Sequence, residues 1–187
     1  EGGMKLVTFK AGGKVSYGAI VEGGIVDLNR RLPHSSLKAV LAAGALDQAH
    51  KAVESSKPDV KLEDITYLPP IPDPDKIICI GLNYDEHRKE TGRDKTSHPT
   101  LFTRFADTQV GHGQAIVKPK VSDQLDYEGE LAVIIGKAGR HISREKALEH
   151  VAGYSCYHDG SVRDWQYQTT QFVPGKNFPA TGGFGPW

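Results

Sequence analysis

The sequence has few cysteines, no long apolar segment and no excess of charge of either sign. Its two cysteines, Cys79 and Cys156, each lie inside an apolar stretch, and we therefore expect reduced, buried packing residues and not a disulfide framework. No basic segment followed by an apolar one opens the chain, and no apolar run approaches the roughly 20 residues of a membrane-spanning helix. These features predict a cytoplasmic protein.

The charge balance argues against nucleic acids and anionic membranes as partners. The chain has 187 residues, with 23 basic and 23 acidic side chains and a formal net charge of zero. It has no overall field that would attract a polyanion, and no cluster of lysine or arginine is interleaved with aromatic residues. A hydrophobic fraction of 38% is typical of a globular protein. Small molecules and other proteins remain as partners.

The N-terminal segment predicts a small α+β domain over residues 4–67. Three β-type runs separated by glycine turns predict an antiparallel meander. The stretch that follows has apolar residues at helical spacing, with Ser35 or Ser36 as N-cap and Gly44 where the helix would divide in two. Four prolines within ten residues then exclude regular structure. We take residues 68–75 as a linker and residues 76–187 as a second domain.

The second domain is predicted to be mostly β, which makes the whole chain α+β. Two apolar runs predict strands buried on both faces, and two further runs are β-type. In chain order these four runs are KIICIG, TLFTRF, QAIVKP and GELAVIIG. A polar helix is expected from Tyr84 to about Thr91 and another after Ser143, whereas the Gly/Pro-rich tail from Val173 to Trp187 predicts loop.

The segment DYEGELAVIIG places Asp126, Glu128 and Glu130 at alternate positions. Alternate side chains of a strand share one face at a spacing of about 7 Å. One interpretation is a half-buried strand with its acids in water. The apolar continuation favours another, in which the acids lie at the mouth of a core and need a cation. Because the segment offers only oxygen ligands, Mg²⁺, Mn²⁺ or Ca²⁺ is expected in preference to Zn²⁺.

A third acidic ligand is expected from the segment CYHDGSVRDWQ, which contains Asp159 and Asp164. Asp159 is the stronger candidate because it precedes Gly160 where a strand would pass into a loop. A carboxylate that caps a turn is the alternative interpretation of this aspartate, and the more common one.

His87 and Glu90 lie three residues apart in a segment with the end signals of a short helix. This spacing places both side chains on one side of the helix, so that Glu90 could orient an imidazole that takes a proton from water. An exposed His–Glu pair is the alternative. Lys176 lies between glycines, where backbone can approach a ligand and a positive charge can stabilise developing negative charge. Its alternative is a solvated loop lysine.

Four segments together resemble the fumarylacetoacetate hydrolase family in order and in character. They are GLNYDEH, LDYEGELAVIIGK, GYSCYHDGSVRDWQ and GKNFPATGGFGPW. The resemblance covers residues 68–187 and implies a mixed β-roll preceded by a small N-terminal domain. Because the family's domain continues beyond the last residue of this sequence, we expect an incomplete roll with unpaired strand edges that favour association.

The resemblance also implies roles for individual residues. Glu128, Glu130 and Asp159 would hold Mg²⁺ or Mn²⁺, and Asp126 would be a supporting acid outside the ligand set. His87 and Glu90 would form the water-activating pair. Lys176 and Arg104 would bind the substrate.

By the same resemblance, we expect an enzyme that acts on 2-oxo or 2,4-dioxo acids or their enols, and a homodimer. Hydrolysis of a C–C bond of acylpyruvate or fumarylacetoacetate type is the first expectation. Decarboxylation of an oxaloacetate-type acid and isomerisation of a diacid similar to 2-hydroxymuconate or hydroxyheptadienedioate are the alternatives. A catalytically silent module that binds a metal or a partner lies outside the enzyme class.

Overall fold

A computed structural model describes residues 3–84, 89, 92 and 97–187 and confirms a mostly β, α+β chain. Its strands are β1 (Lys5–Ala11), β2 (Lys14–Val21), β3 (Gly24–Asp27), β4 (Ile65–Tyr67), β5 (Ile77–Gly81), β6 (Thr100–Arg104), β7 (Gln109–Val110), β8 (Leu125–Asp126), β9 (Gly129–Ile135), β10 (Val151–Asp159), β11 (Ser161–Val162) and β12 (Gly182–Phe184). Its α-helices are α1 (Leu37–Ala42), α2 (Leu46–Glu54), α3 (Arg163–Gln166) and α4 (Val173–Lys176). Short 3-10 helices span Leu28–Arg30, Leu62–Asp64, Ala106–Thr108 and Arg144–His150.

The first three strands form the predicted antiparallel meander. The sheet has the order β3-β2-β1-β4, so the last strand of this region returns to pair with β1. Val7 and Phe9 of β1 are buried on one face together with Ile25 of β3. Tyr17 of β2 and Val26 of β3 belong to a second buried cluster, which α1 and α2 cover. Both faces of this small sheet are therefore packed.

Two short helices replace one long helix, as the sequence predicts. The side chain of Ser36 accepts a hydrogen bond from the backbone amide of Ala39 and caps α1. Gly44 has a φ of +62°, a left-handed conformation that glycine adopts without steric cost, and it ends the first helix. The helices bury Val40 and Ala49 completely, and this burial fixes them on the sheet.

The proline-rich segment is packed against the sheet. Pro69, Pro70 and Ile71 are buried, and the hydroxyl of Thr8 donates to the carbonyl of Pro70 at 2.7 Å. Ile71 also joins a buried cluster that includes Phe184 near the end of the chain. The described core therefore runs across the segment, and the division at residues 68–75 stays a prediction.

The second large sheet has the order β7-β12-β10-β9. Strand β10 pairs antiparallel with β9 and β12, and β12 pairs parallel with β7. Strands β5 and β6 form a separate antiparallel pair, as do β8 and β11. Within the part of the chain that the structure describes, β9 is an edge strand of its sheet.

Two predicted elements in this region were wrong. QAIVKP forms no strand, because residues 115–119 run without a strand partner and Pro119 lacks an amide donor. The tail contains α4 and β12 and is not only loop, since Phe184 pairs with Tyr157 of β10. The helix predicted after Ser143 is present as a 3-10 helix that ends at His150, because Val151 already pairs with Ile135 of β9. Both of these pairings join residues far apart in sequence.

The prediction of burial on both faces was also wrong for two apolar strands. Leu131, Val133 and Ile135 of β9 are 60%, 48% and 65% exposed, whereas Ala132 and Ile134 on the opposite face pack against the core. Strand β5 alternates in the same way. Cys156 is exposed on the neighbouring strand, so its predicted burial was wrong as well. In this chain, the outer face of β9 and β10 has no covering layer among the described residues.

No helix of the described residues has the length and hydrophobicity that a bilayer crossing requires.

Candidate active site

The register of β9 and β10 brings together acidic side chains that are distant in sequence. Glu130 lies opposite Tyr157 in this antiparallel pair, and the backbone amide of Asp159 donates to the carbonyl of Glu128 at 3.0 Å. Residues that lie opposite each other in an antiparallel ladder project to the same face. Glu128, Glu130 and Asp159 therefore share one face at the end of the sheet, and we call these three residues the acid cluster.

The acidic residues do not lie on one continuous strand, contrary to the sequence prediction. Strand β8 ends at Asp126 and β9 begins at Gly129, while Tyr127 between them is 83% exposed. Asp126 lies opposite Ser161 of β11 instead. This break separates Asp126 from the acid cluster.

Lys176 joins two members of the acid cluster. Its Nζ atom donates to Oε2 of Glu128 and to Oδ2 of Asp159, each at 2.8 Å. The side chain is only 2% exposed, and Nζ also lies 4.9 Å from the ring centroid of Phe102. The interpretation of Lys176 as a solvated loop lysine was therefore wrong. Helix α4 carries it at its last residue.

Arg163 is a site residue that the sequence analysis missed. Its Nε and Nη2 atoms donate to Oδ2 of Asp126 at 2.9 and 2.8 Å, and its Nη1 atom lies 2.7 Å from Oε1 of Glu128. The signal was its position four residues after Asp159, at the start of α3. Arg163 thus ties the supporting acid Asp126 to the acid cluster.

Arg104 and Asp164, which were also named from the sequence, differ in how they relate to the acid cluster. Arg104 is completely buried, and its Nη1 atom donates to Oδ1 of Asp159 at 2.7 Å. Asp164 accepts a hydrogen bond from Ser122 at 2.6 Å and no ion pair joins it to the acid cluster among the described residues. The choice of Asp159 over Asp164 therefore agrees with their positions, while its role as a ligand stays a prediction.

Ion pairs connect these side chains in a row with alternating charge. From the buried end outward, the row is Arg104, Asp159, Lys176, Glu128, Arg163 and Asp126. Burial by itself raises the pKa of Glu128, but Lys176 and Arg163 outweigh this effect and hold it below its usual range. The hydrogen bonds from Arg163 likewise lower the pKa of Asp126. Both carboxylates are therefore held in the charged form.

Glu130 is the member of the acid cluster that this row does not neutralise. No lysine or arginine among the described residues forms an ion pair with it. Burial, and then repulsion from Glu128 and Asp159, raise its pKa, while a hydrogen bond from Tyr84 opposes the shift. With Glu130 included, the described residues of the site contribute four carboxylates and three cationic side chains.

The donor set of the acid cluster fits a hard divalent cation. Carboxylate oxygens are the ligands that Mg²⁺ and Mn²⁺ prefer, and the excess of one carboxylate among the described residues favours an additional cation. Among the described residues, no three acidic, histidine or cysteine side chains converge closely enough to hold an ion without rearrangement, since Lys176 lies between Glu128 and Asp159.

The acid cluster faces a large open groove of about 2090 Å³. Apolar side chains of β5 and β9 form much of its walls, and the charged row lies at one side. The lining includes residues 77–84 and 126–137, Asp159, Arg163 and Lys176. An anionic small molecule in this groove can contact the cationic side chains of Arg163 and Lys176 as well as apolar surface.

The predicted pair of His87 and Glu90 lies outside the described residues. Asn83 and Tyr84, which precede this segment, line the groove.

Comparison with known proteins identifies what this arrangement resembles. A family model described as the C-terminal domain of fumarylacetoacetate (FAA) hydrolase matches residues 76–187. A human mitochondrial protein named oxaloacetate tautomerase FAHD2A is 36% identical over an alignment of 193 positions, which covers 98% of this chain and 62% of the human protein. A protein of Dictyostelium discoideum named as a homologue of fumarylacetoacetate hydrolase domain-containing protein 2 is also 36% identical, over 98% of this chain and 63% of that protein.

Two solved structures have the same fold. The fumarylacetoacetate hydrolase of Exiguobacterium antarcticum superposes with a TM-score of 0.78 at 34% identity, over 98% of this chain and 65% of that one. A probable 2-hydroxyhepta-2,4-diene-1,7-dioate isomerase of Mycobacterium abscessus gives 0.77 at 29% identity, over 98% and 63%. The chain therefore spans less than two thirds of the relatives that it matches.

Proposed function

Because the chain belongs to the fumarylacetoacetate hydrolase family, we propose that it carries the site of an enzyme that moves protons on a 2-oxo dicarboxylic acid. The reaction is the interconversion of the oxo and enol forms: a proton leaves the carbon next to the carbonyl and the carbonyl oxygen gains one. The printed names of similar proteins, an oxaloacetate tautomerase and a dienedioate isomerase, support this class of reaction.

The observation that carries the proposal is the row of alternating charges beside an open groove. A substrate with two carboxylates needs cationic partners, and Lys176 and Arg163 are both among the lining residues. Their positive charges are held in place by Glu128, so little reorganisation is needed when negative charge develops on the substrate oxygen. The apolar side chains of β5 and β9 that line the groove offer contact surface to the carbon atoms of the substrate.

The acid cluster would hold a divalent ion, with Mg²⁺ as the proposed metal and Mn²⁺ as its substitute. Glu128, Glu130 and Asp159 supply carboxylate oxygens for it. When bound, such an ion polarises an oxo or enol oxygen as a Lewis acid. Asp126 supports the site through Arg163, which it holds against Glu128.

The proton at carbon needs a base, and His87 oriented by Glu90 is our proposal for it. A positioned imidazole has a pKa near neutrality and serves as both acid and base. Lys176, which touches two acids of the cluster, would stabilise the charge that forms on the substrate oxygen.

Hydrolysis of a C–C bond remains the second candidate function. A solved relative at 34% identity is named a fumarylacetoacetate hydrolase, and the same His87 and Glu90 could activate water in place of abstracting a carbon-bound proton. In a hydrolysis, water adds to a carbonyl carbon and the bond to the neighbouring carbon breaks, which releases two acids or an acid and a ketone. Decarboxylation of oxaloacetate would instead release carbon dioxide and leave a three-carbon oxo acid.

An activity panel tests these proposals on a protein that includes the full length of the family domain. Enol and oxo forms of oxaloacetate, an acylpyruvate and a hydroxymuconate-type diacid are supplied with Mg²⁺, and conversion is followed by ultraviolet absorbance with product analysis. We expect oxo–enol conversion that EDTA abolishes. If no substrate is converted, the chain is a silent binding module and the proposed function is wrong.

The control must remove conversion that free Mg²⁺ catalyses in solution. A Glu128→Ala variant in the same buffer serves this purpose, since only the protein site differs. A His87→Ala variant should lose conversion while it keeps its Mg²⁺ affinity. Equal rates in wild type and Glu128→Ala would remove the acid cluster from the reaction.

The assembly and location of the protein stay predictions. We propose a homodimer, which sedimentation equilibrium of the purified protein would test. The cytoplasmic location rests on composition alone, and the similar human protein is named as mitochondrial.

A further inference from the structure

We propose that Arg104 is a positioning residue that fixes the carboxylate of Asp159, so that only one of its two oxygens faces the acid cluster. This inference rests on the proposed function in so far as it concerns metal binding. It assigns Arg104 a different role from the substrate contact that the family resemblance implies.

The guanidinium of Arg104 is held by three partners on two segments. Nη1 donates to Oδ1 of Asp159 at 2.7 Å and to the carbonyl of Gly160 at 2.9 Å. Nη2 donates to Oγ1 of Thr181 at 2.8 Å. A planar guanidinium with this many fixed partners has one orientation. It therefore determines where Oδ1 of Asp159 lies.

The backbone around Asp159 is shaped for this arrangement. A Cβ atom at Gly160 would lie 2.3 Å from the carbonyl oxygen of Thr181, so only glycine allows these two segments to approach. Thr181 is itself fixed, because its hydroxyl donates to the carbonyl of Phe178 at 2.6 Å and its amide to that of Thr108 at 3.1 Å. The acceptor for Nη2 is thus part of a rigid loop.

Arg104 cannot act by touching a substrate. Its side chain has no exposed surface, and it is absent from the residues that line the groove. Asp159 lines the groove, and its other oxygen, Oδ2, accepts a hydrogen bond from Nζ of Lys176 at 2.8 Å. Among the described residues, the direct contact of Arg104 with the acid cluster is therefore its hydrogen bond to Asp159.

Positioning and simple charge predict opposite results for the loss of Arg104. A positive charge near a bound divalent ion repels it, so a role through charge alone predicts tighter Mg²⁺ binding when the charge is removed. A positioning role predicts weaker binding, because Asp159 is then free to turn Oδ2 away from the acid cluster. The sign of the change separates the two roles.

The experiment is calorimetric titration of Mg²⁺ into wild type, Arg104→Met, Asp159→Ala and the double variant. We expect Arg104→Met to weaken binding about tenfold, the size of effect typical of residues that orient metal ligands. When Arg104→Met is already present, Asp159→Ala should weaken Mg²⁺ binding by less than about a further threefold. Unchanged or tighter binding in Arg104→Met would overturn the proposal, as would full additivity of the two losses.

Arg31 offers a matched control elsewhere in the chain. It also donates to a carboxylate, that of Asp59, as well as to a hydroxyl and to a backbone carbonyl. Arg31→Met removes the same groups far from the acid cluster and should leave Mg²⁺ affinity unchanged. A loss equal to that of Arg104→Met would show that the effect is general destabilisation and would overturn the proposal.

A second variant tests the inference independently of Arg104→Met, and a crystal structure tests it independently of Mg²⁺ binding. Thr181→Val keeps the charge of Arg104 but removes the acceptor of Nη2, and we expect a loss of Mg²⁺ affinity that is smaller than that of Arg104→Met. If wild type does not bind Mg²⁺, the proposed metal site fails, and the crystal structure of Arg104→Met or Thr181→Val decides the present inference. Movement of Oδ2 of Asp159 away from Lys176 supports it, and an unchanged contact near 2.8 Å overturns it.

Discussion

Two networks of arginine and acid in this chain look alike and differ in charge balance. In the N-terminal sheet, Asp27 and Asp59 pair with Arg30 and Arg31. The oxygens of both acids have partners there, since Ser16 donates to Asp27 and Arg31 donates to both oxygens of Asp59. Two acids meet two bases, and the network lies apart from the groove.

The network at the end of the second sheet has four acids and three bases. Glu130 is the acid without a described ion-pair partner, and its pKa is raised where that of Asp59 is lowered. A carboxylate that is partly removed from water without a cationic partner costs stability. Among the described residues the second network has an acid in excess and the first does not, and this difference supports the second network as the proposed site.

Replacement of Glu128 should have the largest effect of the substitutions in the two networks. Glu128→Ala removes a proposed ligand and the shared partner of Lys176 and Arg163. We expect Mg²⁺ affinity to fall on the order of 100-fold, at least as much as when a residue that orients a ligand is removed. Calorimetry measures the change, and Asp59→Ala is the comparison from the balanced network. Equal affinity in wild type and Glu128→Ala would contradict the proposed site.

The balanced network should instead respond in stability. Asp59→Asn weakens the paired hydrogen bonds from Arg31 and should lower the free energy of unfolding by about 1 kcal/mol, the net contribution of a typical hydrogen bond. Hydrogen bonds from Arg31 hold the pKa of Asp59 below its ordinary value of 3.8. Its contribution is therefore present above pH 3.8 and is lost as the pH falls through the lower folded value.

Urea denaturation of wild type and Asp59→Asn at a series of pH values checks this expectation. The difference between the two curves should be full at pH 7 and should shrink below pH 3.8. A difference that grows on acidification would contradict the assignment.

Glu130 should show the opposite dependence on pH. Its pKa lies above the ordinary value of 4.5 because of burial and of repulsion from Glu128 and Asp159, so the native state binds its proton more tightly than the unfolded state does. The stabilisation is full below pH 4.5 and is lost as the pH rises through the folded value. In metal-free buffer, Glu130→Gln should therefore be more stable than wild type at pH 7, by about 2 °C in Tm.

Thermal unfolding followed by circular dichroism at pH 7 and pH 4 measures this effect. The gain in Tm should disappear at the lower pH, and at pH 7 added Mg²⁺ should stabilise wild type more than Glu130→Gln. A variant that is less stable than wild type in metal-free buffer at pH 7 would show that the charge of Glu130 is compensated after all.

Asp126 should have the smallest effect and sharpens the boundary of the site. Its side chain is 48% exposed and acts through Arg163. Asp126→Asn should lower Mg²⁺ affinity by only about two- to threefold, since exposed ion pairs contribute roughly 0.2–1 kcal/mol. Calorimetry under the conditions used for Glu128→Ala gives the comparison. A loss as large as that of Glu128→Ala would place Asp126 among the ligands.

Local sequence signals predicted part of the fold correctly. The glycine turns of the N-terminal meander, the cap at Ser36 and the break at Gly44 all involve neighbouring residues, and the structure has each of them. The prediction of loop for the tail was wrong because Phe184 pairs with Tyr157, which lies far from it in the sequence. The prediction that β9 is buried on both faces was wrong, because a continuous apolar run does not reveal whether a layer covers each face.

For the site, the residue types were visible and most of the contacts were not. Alternate spacing in DYEGE indicated Glu128 and Glu130 as neighbours on one face, and a strand-to-loop exit indicated Asp159. Arg163 was missed because nothing local connects it to Glu128, which lies 35 residues earlier in the sequence. The strand register of β9 and β10 and the turn into α3 create that contact.

The sequence by itself determined the family, the mostly β fold and the acids that converge at the end of β10, because spacing and short motifs act locally. Only the tertiary structure decided how those acids are neutralised: Lys176 donates to Glu128 and Asp159, buried Arg104 donates to Asp159, and Glu130 has no ion-pair partner among the described residues. Charge balance at a buried site depends on distances across strands that no spacing along one strand specifies.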